Sequence, residues 1–270
     1  MAQATPPKLN LPASRGRSLV KHYPRGLRID PHAHPWAQVL HAVTGVMWVE
    51  VGREALVVPP QRAVWLPPGA VHSIQMMSAV EMRNLYLPAQ DIAQLSRESH
   101  VFEVNGLLRE LIAAIAEREH ARQRDDAYLD AAYKLVALEL PHAARHTQRI
   151  PLPDGSDRRL AGLCRAVIAN PSQAISFEQH AAGAGASVRT LSRLFVRHMG
   201  LGFAEWRRQV QLAIALSRLA DGQSVGAVAH ALGYRASSFS EMFRRELGLP
   251  PSGFHPQETL ADAVRPVADS

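Results

Sequence analysis

Hydrophobic and polar positions alternate in short runs through the first third of the chain. These runs are rich in β-branched and aromatic residues, and glycine and proline stand between them. Such runs predict short β-strands, and their close spacing with turn residues between them indicates a small sandwich or barrel. The predicted strands are Val39–Val43, Val46–Val51, Leu56–Val58, Ala63–Leu66, Ser73–Met77 and Glu81–Leu87.

The hydrophobic period lengthens to that of a helix after residue 90. Apolar residues recur at spacings of three and four over Val104–Glu117 and over Asp126–Arg145, so each segment predicts an amphipathic helix. Pro141 would end or kink the second helix, because proline has no amide hydrogen to donate. The spacing leaves two roles open for this pair of helices, which are covering the barrel and pairing two subunits.

The C-terminal part of the chain contains one pattern written twice, at a fixed offset of 48 residues. Each copy predicts a serine-capped helix, a turn at a glycine and a second helix with an apolar stripe, which begins near Ser187 or Ser237. An amphipathic segment, Phe203–Ala220, joins the copies. This is helix-turn-helix geometry, in which the second helix enters a DNA major groove. The matched positions include Ser176 with Ser224, Gly185 with Gly233 and Phe195 with Phe243.

Charge supports a polyanionic partner for this region. The net charge is +6 and the sequence pI is about 10.0, and arginine outnumbers acidic residues in the repeat. The alternative is that these arginines are ordinary solvent-exposed residues with no role in binding. The single cysteine, Cys164, excludes an internal disulfide and fits a reducing cytosol. The sequence also predicts no signal peptide and no membrane span, so a cytoplasmic location is expected.

The repeat resembles the AraC/XylS family of bacterial transcription regulators. The resemblance covers about the last hundred residues and is carried by the repeat, by LSRLF at 191–195 and by FRRELGLPPS at 243–252. It implies a sequence-specific regulator, not an enzyme, that binds double-stranded promoter DNA with two helix-turn-helix units on adjacent groove segments. RNA polymerase would be a further partner of an activator, and similar regulators pair as homodimers through helices like those before the repeat.

The resemblance also implies which residues contact DNA. In the first copy they are Arg189, Thr190, Ser192, Arg193 and Arg197, of which Arg189, Ser192 and Arg193 would face bases and Arg197 a phosphate. The three arginines are four residues apart and share a helix face, and arginine suits guanine best. The second copy departs from the family, because an acidic residue stands where an arginine often contacts DNA. Its candidate contacts are Ser237, Ser238, Ser240 and Glu241.

A second resemblance lies in the strand-rich region. Gly26, His32, His34, Gln38 and Gly45 follow a G-x5-H-x-H-x3-(E)-x6-G spacing with glutamine in the glutamate place, and Pro67, Gly69 and His72 follow P-x-G-x2-H. These spacings resemble the two motifs of cupins, which fold as a double-stranded β-helix. Three imidazoles suit a divalent transition metal such as Zn, Fe, Ni or Cu. The alternative is a metal-free pocket that binds a small-molecule effector or packs against tryptophans.

The predicted fold class is α+β with several domains, namely a cupin-like double-stranded β-helix barrel, a helical connector and an all-α double helix-turn-helix domain. The rival function is a metal-dependent cupin enzyme, a dioxygenase or isomerase, fused to a DNA-binding module, and Gln38 in the acidic position argues against it. A third reading is a constitutive DNA-binding protein whose barrel only dimerises. The expected divisions are a flexible arm 1–17, a sensor domain 18–90, a connector 91–147, a linker 148–157, the DNA-binding domain 158–257 and a disordered tail 258–270.

Overall fold

The computed structural model describes residues 3–4, 16–60, 62–87, 91–119, 121, 125–146, 149–172 and 175–254. The predicted tail 258–270 lies outside the described residues, as does most of the predicted arm 1–17.

The described N-terminal half forms two six-stranded sheets that face each other as a barrel. The first sheet has the strand order β1-β3-β8-β5-β6-β12 and the second has the order β11-β10-β7-β4-β9-β2. The strands are β1 (Gln3–Ala4), β2 (Arg17–Tyr23), β3 (Arg28–His32), β4 (Ala37–Thr44), β5 (Met47–Val51), β6 (Glu54–Val58), β7 (Arg62–Leu66), β8 (His72–Met76), β9 (Val80–Leu87), β10 (His100–Glu103), β11 (Arg145–His146) and β12 (Ile150–Pro151).

All six predicted strands are present, with end points that differ by up to two residues. The alternation missed β2 and β3, because β2 carries several charged and polar residues and β3 contains Asp30 and Pro31. Strand β10 lies beyond residue 90, and β12 pairs with β6 inside the segment predicted as a linker. The two sheets therefore contain strands from the predicted sensor domain, the predicted connector and the predicted linker.

The interior of the barrel is a closed apolar core. Alternate residues of each strand point inward, as the two-residue period of a strand requires. Leu40, Met47, Ile74 and Met76 are fully buried members of this core, and Tyr23 packs at its margin.

Two helices cover the outer face of the second sheet, α1 (Gly106–Glu119) and α2 (Asp126–Glu139). Their buried residues form one core with the outward-facing side chains of β4, β7 and β9. Helix α2 ends before Pro141, which is one of the two effects expected of this proline, so the helix does not continue to Arg145. The helix ends at Glu139, Pro141 lies in the 3-10 turn Leu140–His142, and residues 145 and 146 pair with β10 as β11. Proline cannot donate the hydrogen bond that would continue the helix.

Six helices make up the described C-terminal part. They are α3 (Arg158–Ala169), α4 (Phe177–Gly183), α5 (Val188–Met199), α6 (Phe203–Ala220), α7 (Val225–Ala231) and α8 (Ala236–Leu247). Phe195 and Phe243, at equivalent positions of the repeat, are both fully buried, and Trp206 of α6 is fully buried as well.

The barrel packs directly against the C-terminal helices. Val46, Trp48, Ala55 and Ile150 on the outer face of the first sheet belong to the same apolar core as α6. The indole Nε1 of Trp206 donates to the carbonyl oxygen of Pro151, 2.8 Å away. The strand β12 that contains Pro151 therefore fastens α6 to the barrel.

Replacing Phe195 with alanine should test this core. The ring is fully buried among α4, α5 and α6, so its removal should lower the free energy of unfolding by about 3–5 kcal/mol. Val196→Ala is the matched control, because Val196 is 61% exposed and its loss should change stability by no more than about 0.5 kcal/mol. Urea unfolding measures both variants, and equal losses would contradict the assigned packing.

Candidate functional site

The first helix-turn-helix unit is fixed by local hydrogen bonds. Ser176 caps α4 in a reciprocal capping box with Gln179, whose backbone N–H donates to the serine oxygen and whose side chain accepts from the serine backbone. Gly185 leaves the helix with φ of 63°, a left-handed conformation that glycine adopts without strain. Ser187 then caps α5 by accepting from the N–H of Thr190. These features confirm the predicted helix, turn and helix.

The second unit repeats this path with one difference. Ser224 caps α7 and Gly233 turns the chain with φ of 80°. Helix α8 begins at Ala236, the counterpart of Val188, so it starts one residue before the predicted Ser237. Arg235 occupies the N-cap position and makes no side-chain cap hydrogen bond there.

Helix α6 carries a buried amide that contacts the chain before the first unit and the turn of the second unit. The Nε2 of Gln211 donates to the carbonyl oxygen of Pro171, 2.7 Å away, in the segment before the first unit. The Oε1 of Gln211 accepts from the hydroxyl of Tyr234, 2.9 Å away, in the turn of the second unit. Gln211 is 1% exposed, and buried polar groups of this kind are costly unless they are hydrogen-bonded. This one side chain therefore ties α6 to the segment before the first unit and to the turn of the second unit.

The outer face of α5 is basic and open to solvent. Arg189, Ser192, Arg193 and Arg197 are exposed and line one open groove together with Thr190. Within the described ranges, no acidic side chain forms an ion pair with any of these three arginines. The Thr190 hydroxyl lies 2.9 Å from the Ser187 hydroxyl, so Thr190 is engaged at the helix cap, which the sequence did not indicate.

The corresponding face of α8 carries little positive charge. Ser237, Ser238 and Glu241 are exposed, and they replace Arg189, Thr190 and Arg193 of the first unit. The Ser240 hydroxyl donates to the carbonyl oxygen of Ala236, 2.9 Å away, one turn back in the same helix.

Farther along α8, basic side chains return. Arg244 and Arg245 are exposed, and Arg245 forms an ion pair of 3.2 Å with Glu246. Glu246 also pairs with Arg208 of α6 at 3.4 Å. The two recognition helices therefore differ at two matched positions, where Arg189 and Arg193 of α5 are replaced by Ser237 and Glu241 of α8, whereas Arg197 is matched by Arg245.

The three histidines of the cupin-like spacing come together at one end of the barrel. His32 ends β3, His34 lies in the loop after it, and His72 opens β8, where it pairs directly with His32. One ring nitrogen from each residue lies within 4.8 Å of those from the other two. His32, His34 and His72, called the histidine cluster from here on, thus form a group that could hold a metal ion.

Backbone carbonyl groups orient all three rings. The Nδ1 atoms of His32, His34 and His72 lie 2.8, 2.8 and 2.9 Å from the carbonyl oxygens of Asp30, Trp36 and Ala70. A carbonyl oxygen only accepts, so each Nδ1 carries the hydrogen, and in neutral His32 and His72 the lone pair is left on Nε2. The Nε2 of His34 instead faces the amide oxygen of Gln38, which is also an acceptor. Histidines that bind metals are fixed by second hydrogen bonds of this kind.

Burial keeps His32 and His72 neutral and leaves one nitrogen of His72 available. It lowers the pKa of His72 to about 4 and also lowers the pKa of His32. A pKa below the ordinary histidine value means a neutral ring, which is the form that binds metals, at neutral pH. The buried Nε2 of His72 has no hydrogen-bond partner among the described residues. An orphaned acceptor aimed at two other histidines fits a divalent transition metal.

Gln38 and Tyr86 complete this end of the barrel. The Gln38 Oε1 lies 3.0 Å from Nε2 of His34, and the Gln38 Nε2 lies 3.4 Å from the Tyr86 hydroxyl. Both side chains are 2% exposed. The sequence spacing identified Gln38 but missed Tyr86, because Tyr86 is brought to Gln38 only by the pairing of β4 with β9.

In the part of the chain that the structure describes, no helix combines the length and the apolar character that crossing a membrane requires.

Comparisons with known proteins agree with this architecture. A profile described as AraC-like ligand binding domain matches residues 19–146, and one described as helix-turn-helix domain matches residues 180–257. The HTH-type transcriptional regulator NimR of Escherichia coli (strain K12) is 31% identical over 224 residues, which are 83% of this chain and 81% of that protein. The HTH-type transcriptional regulator RipA of Corynebacterium glutamicum is 37% identical over 117 residues, which are 42% of this chain and 35% of RipA.

Among solved structures, ToxT from Vibrio cholerae aligns with 89% of this chain and 98% of its own, at 11% identity and a TM-score of 0.37.

Tyr234→Phe tests the bridge made by Gln211. Removing the hydroxyl takes a partner from the buried amide oxygen, so the free energy of unfolding should fall by about 1 kcal/mol. Tyr128→Phe is the matched control, because Tyr128 of α2 packs its ring beneath Arg118 and no hydrogen bond of its hydroxyl is seen in the described structure. Urea unfolding compares the two variants, and a loss no larger than that of Tyr128→Phe would contradict the bridge.

Proposed function

Since the chain belongs to the AraC family of transcription regulators, we propose that α5 does most of the sequence reading on promoter DNA. The family makes this chain an effector-responsive, DNA-binding regulator and not an enzyme. The cupin-enzyme alternative is thereby rejected. The observation that carries the proposal is the exposed pair Arg189 and Arg193 near the start of α5, whose matched positions on α8 hold Ser237 and Glu241.

In this proposal Arg189, Ser192 and Arg193 contact base edges and Arg197 contacts a phosphate. Residues four apart on a helix are separated by about 6 Å along its axis, so the three arginines span about 12 Å. The major groove is wide enough to admit a recognition helix, so this face can meet base edges and the phosphates beside them. Thr190 contributes through the cap of α5 more than through contact with bases, because its hydroxyl lies beside Ser187.

The second recognition helix would mainly hold the DNA backbone. Ser237 and Ser238 offer short neutral hydroxyls, and Glu241 repels phosphate but can accept from cytosine N4. Ser240 is the weakest candidate, because its hydroxyl is engaged within the helix. Basic contacts on α8 would come from its later arginines, which suit phosphates and carry no sequence information themselves.

For the barrel, the proposal is a sensor site in which the histidine cluster binds a divalent transition metal. Three properties support it: the ring nitrogens converge, carbonyl oxygens hold every Nδ1, and His72 Nε2 is buried without a described partner. Imidazole nitrogens suit Zn, Cu, Fe and Ni. The metal would fix the ends of β3 and β8 relative to each other.

Strands β3 and β8 connect the histidine cluster to the DNA-binding unit. Strands β3 and β8 carry His32 and His72 at one end and reach α6 at the other. There the Ser217 hydroxyl of α6 donates to the carbonyl oxygen of Met77 at 3.0 Å, and Arg25 pairs with Asp221 at 3.2 Å. A ligand that favours one arrangement of these strands would thereby bias α6 and the recognition helices beside it.

Pairing as a homodimer is proposed for α1 and α2. Leu107, Leu135 and Leu138 are exposed on these helices, at 47, 38 and 58%, and exposed leucines favour contact with a second subunit over a purely covering role. RNA polymerase as a partner, the cytoplasmic location, and the domain boundaries of the sequence analysis stay predictions.

Arg193→Ala and Arg197→Ala should separate base reading from phosphate contact. On a DNA site selected from a random library, Arg193→Ala should relax specificity at one base position by about 1–3 kcal/mol. Arg197→Ala should weaken binding across sequences and reduce the slope of log affinity against log salt by about 1. Fluorescence anisotropy at several salt concentrations measures both quantities.

The control for these variants is Arg97→Ala, which removes an exposed arginine of the barrel domain. It should change neither specificity nor salt slope. If Arg193→Ala and Arg197→Ala behave like Arg97→Ala on selected and scrambled DNA, α5 is not the reading helix.

Elemental analysis of the purified protein tests the metal site. We expect about one divalent ion per chain, because the cluster offers a single set of converging nitrogens. His32→Ala and His72→Ala should each lose the ion, whereas His142→Ala, which removes an exposed histidine outside the cluster, should retain it. A metal content unchanged in all three variants would place the ion elsewhere and overturn this part of the proposal.

A further inference from the structure

The histidine cluster differs in charge from a site that contains a carboxylate. Among the described residues, the group of ligand atoms within 4.8 Å contains three histidines and no aspartate or glutamate. Gln38 stands beside it with a neutral amide, 3.0 Å from His34. Every ligand atom that the chain offers here is therefore uncharged.

Two acids on and beside these strands, Asp30 and Glu50, do not supply the missing charge. Asp30 contributes its backbone carbonyl to the ring of His32, and its carboxylate is not among the converging ligand atoms. Glu50 accepts from Ser73 and pairs with Arg28 at 3.3 Å. A divalent ion held by the histidine cluster would keep its full charge at a half-buried position, where electrostatic attraction is stronger than in water.

On this basis we infer that the metal-loaded barrel takes a small carboxylate anion as its effector, bound by the metal and by the polar groups of Gln38 and Tyr86. The inference rests on the metal site proposed above. An anion compensates the charge that the chain leaves unbalanced. Zn and related ions in open sites commonly keep one coordination position for a ligand that does not come from the protein.

Gln38 and Tyr86 suit the second oxygen of a carboxylate. The phenol is a hydrogen-bond donor, and the amide offers two N–H groups that can turn toward an anion. A tyrosine hydroxyl ordinarily keeps its proton at neutral pH, so it can donate. Hydrogen bonds to a carboxylate are stronger than those between neutral groups.

Aromatic rings border the same position. The Tyr86 ring lies 5.5 Å from that of His34, and the half-buried Trp36 ring lies 6.0 Å from it. An aromatic carboxylate would place its charged end on the metal and its ring against these side chains. Benzoate is therefore the probe of choice, and benzamide, which has the same shape without the charge, is its matched control.

The experiment uses the full-length chain loaded with Co²⁺, whose visible absorption reports its ligands. Benzoate should shift the spectrum and saturate, and calorimetry should detect no benzoate binding to the metal-free chain. Benzamide should bind at least about tenfold more weakly, a difference of about 1.4 kcal/mol. Circular dichroism and the thermal midpoint confirm that each variant is folded.

Gln38→Glu is the decisive variant, because it supplies the absent carboxylate. It should bind Co²⁺ more tightly than the wild type and bind benzoate at least about tenfold more weakly, within the range by which groups around a metal change affinity. Gln38→Leu is the control, because it also removes the amide and keeps a side chain of similar size but adds no charge. It leaves the metal charge uncompensated, so it should still bind benzoate, with a smaller loss than Gln38→Glu.

The outcomes separate this inference from the function on which it rests. If the wild type binds Co²⁺ but responds to neither probe, or responds equally to benzoate and benzamide, the anion inference is overturned and the metal site stands. Equal benzoate affinity of Gln38→Glu and the wild type would overturn the charge argument. If the wild type binds no metal, the metal site and the inference both fail, while DNA reading by α5 is unaffected.

Discussion

Burial of α6 on several sides is the constraint on which the rest of the structure depends. Its apolar residues pack against both helix-turn-helix units and against the outer face of the first sheet. Two of its polar residues also make hydrogen bonds to neighbours: Gln211 bonds to the segment before the first unit and to the turn of the second unit, and Ser217 bonds to Met77 at the end of β8. Because α6 cannot move without disturbing all three neighbours, the recognition helices and the barrel are mechanically connected.

The two recognition helices show how one repeated pattern can carry two chemistries. The buried positions are kept in both copies, as Phe195 and Phe243 illustrate, because both helices must pack on α6. The exposed positions are free of that constraint. There arginine at 189 and 193 is replaced by serine at 237 and glutamate at 241. Shared packing with divergent surfaces makes the two units unequal partners for DNA.

The histidine cluster depends on backbone geometry as much as on residue type. Three carbonyl oxygens fix the tautomers, and the pairing of β3 with β8 sets His32 against His72. Neutral nitrogens in a half-buried place leave the charge of a bound cation uncompensated. The replacement of an acidic residue by Gln38 thus changes which ligand this end of the barrel would favour.

The sequence by itself determined the two helix-turn-helix units, six of the strands, and the identity of the three histidines. These features are local, since caps, turn glycines and periodicity act over a few residues. It missed β1, β2, β3 and the short strands after residue 90, because short or polar strands are stabilised by partners far away in the chain. It also left open whether Pro141 ends or kinks α2. Only the tertiary structure decided three of the contacts described above. They are Tyr86 with Gln38, Ser217 with Met77, and Gln211 with Tyr234. Such contacts join residues at least 20 positions apart, and no local pattern records which of them meet.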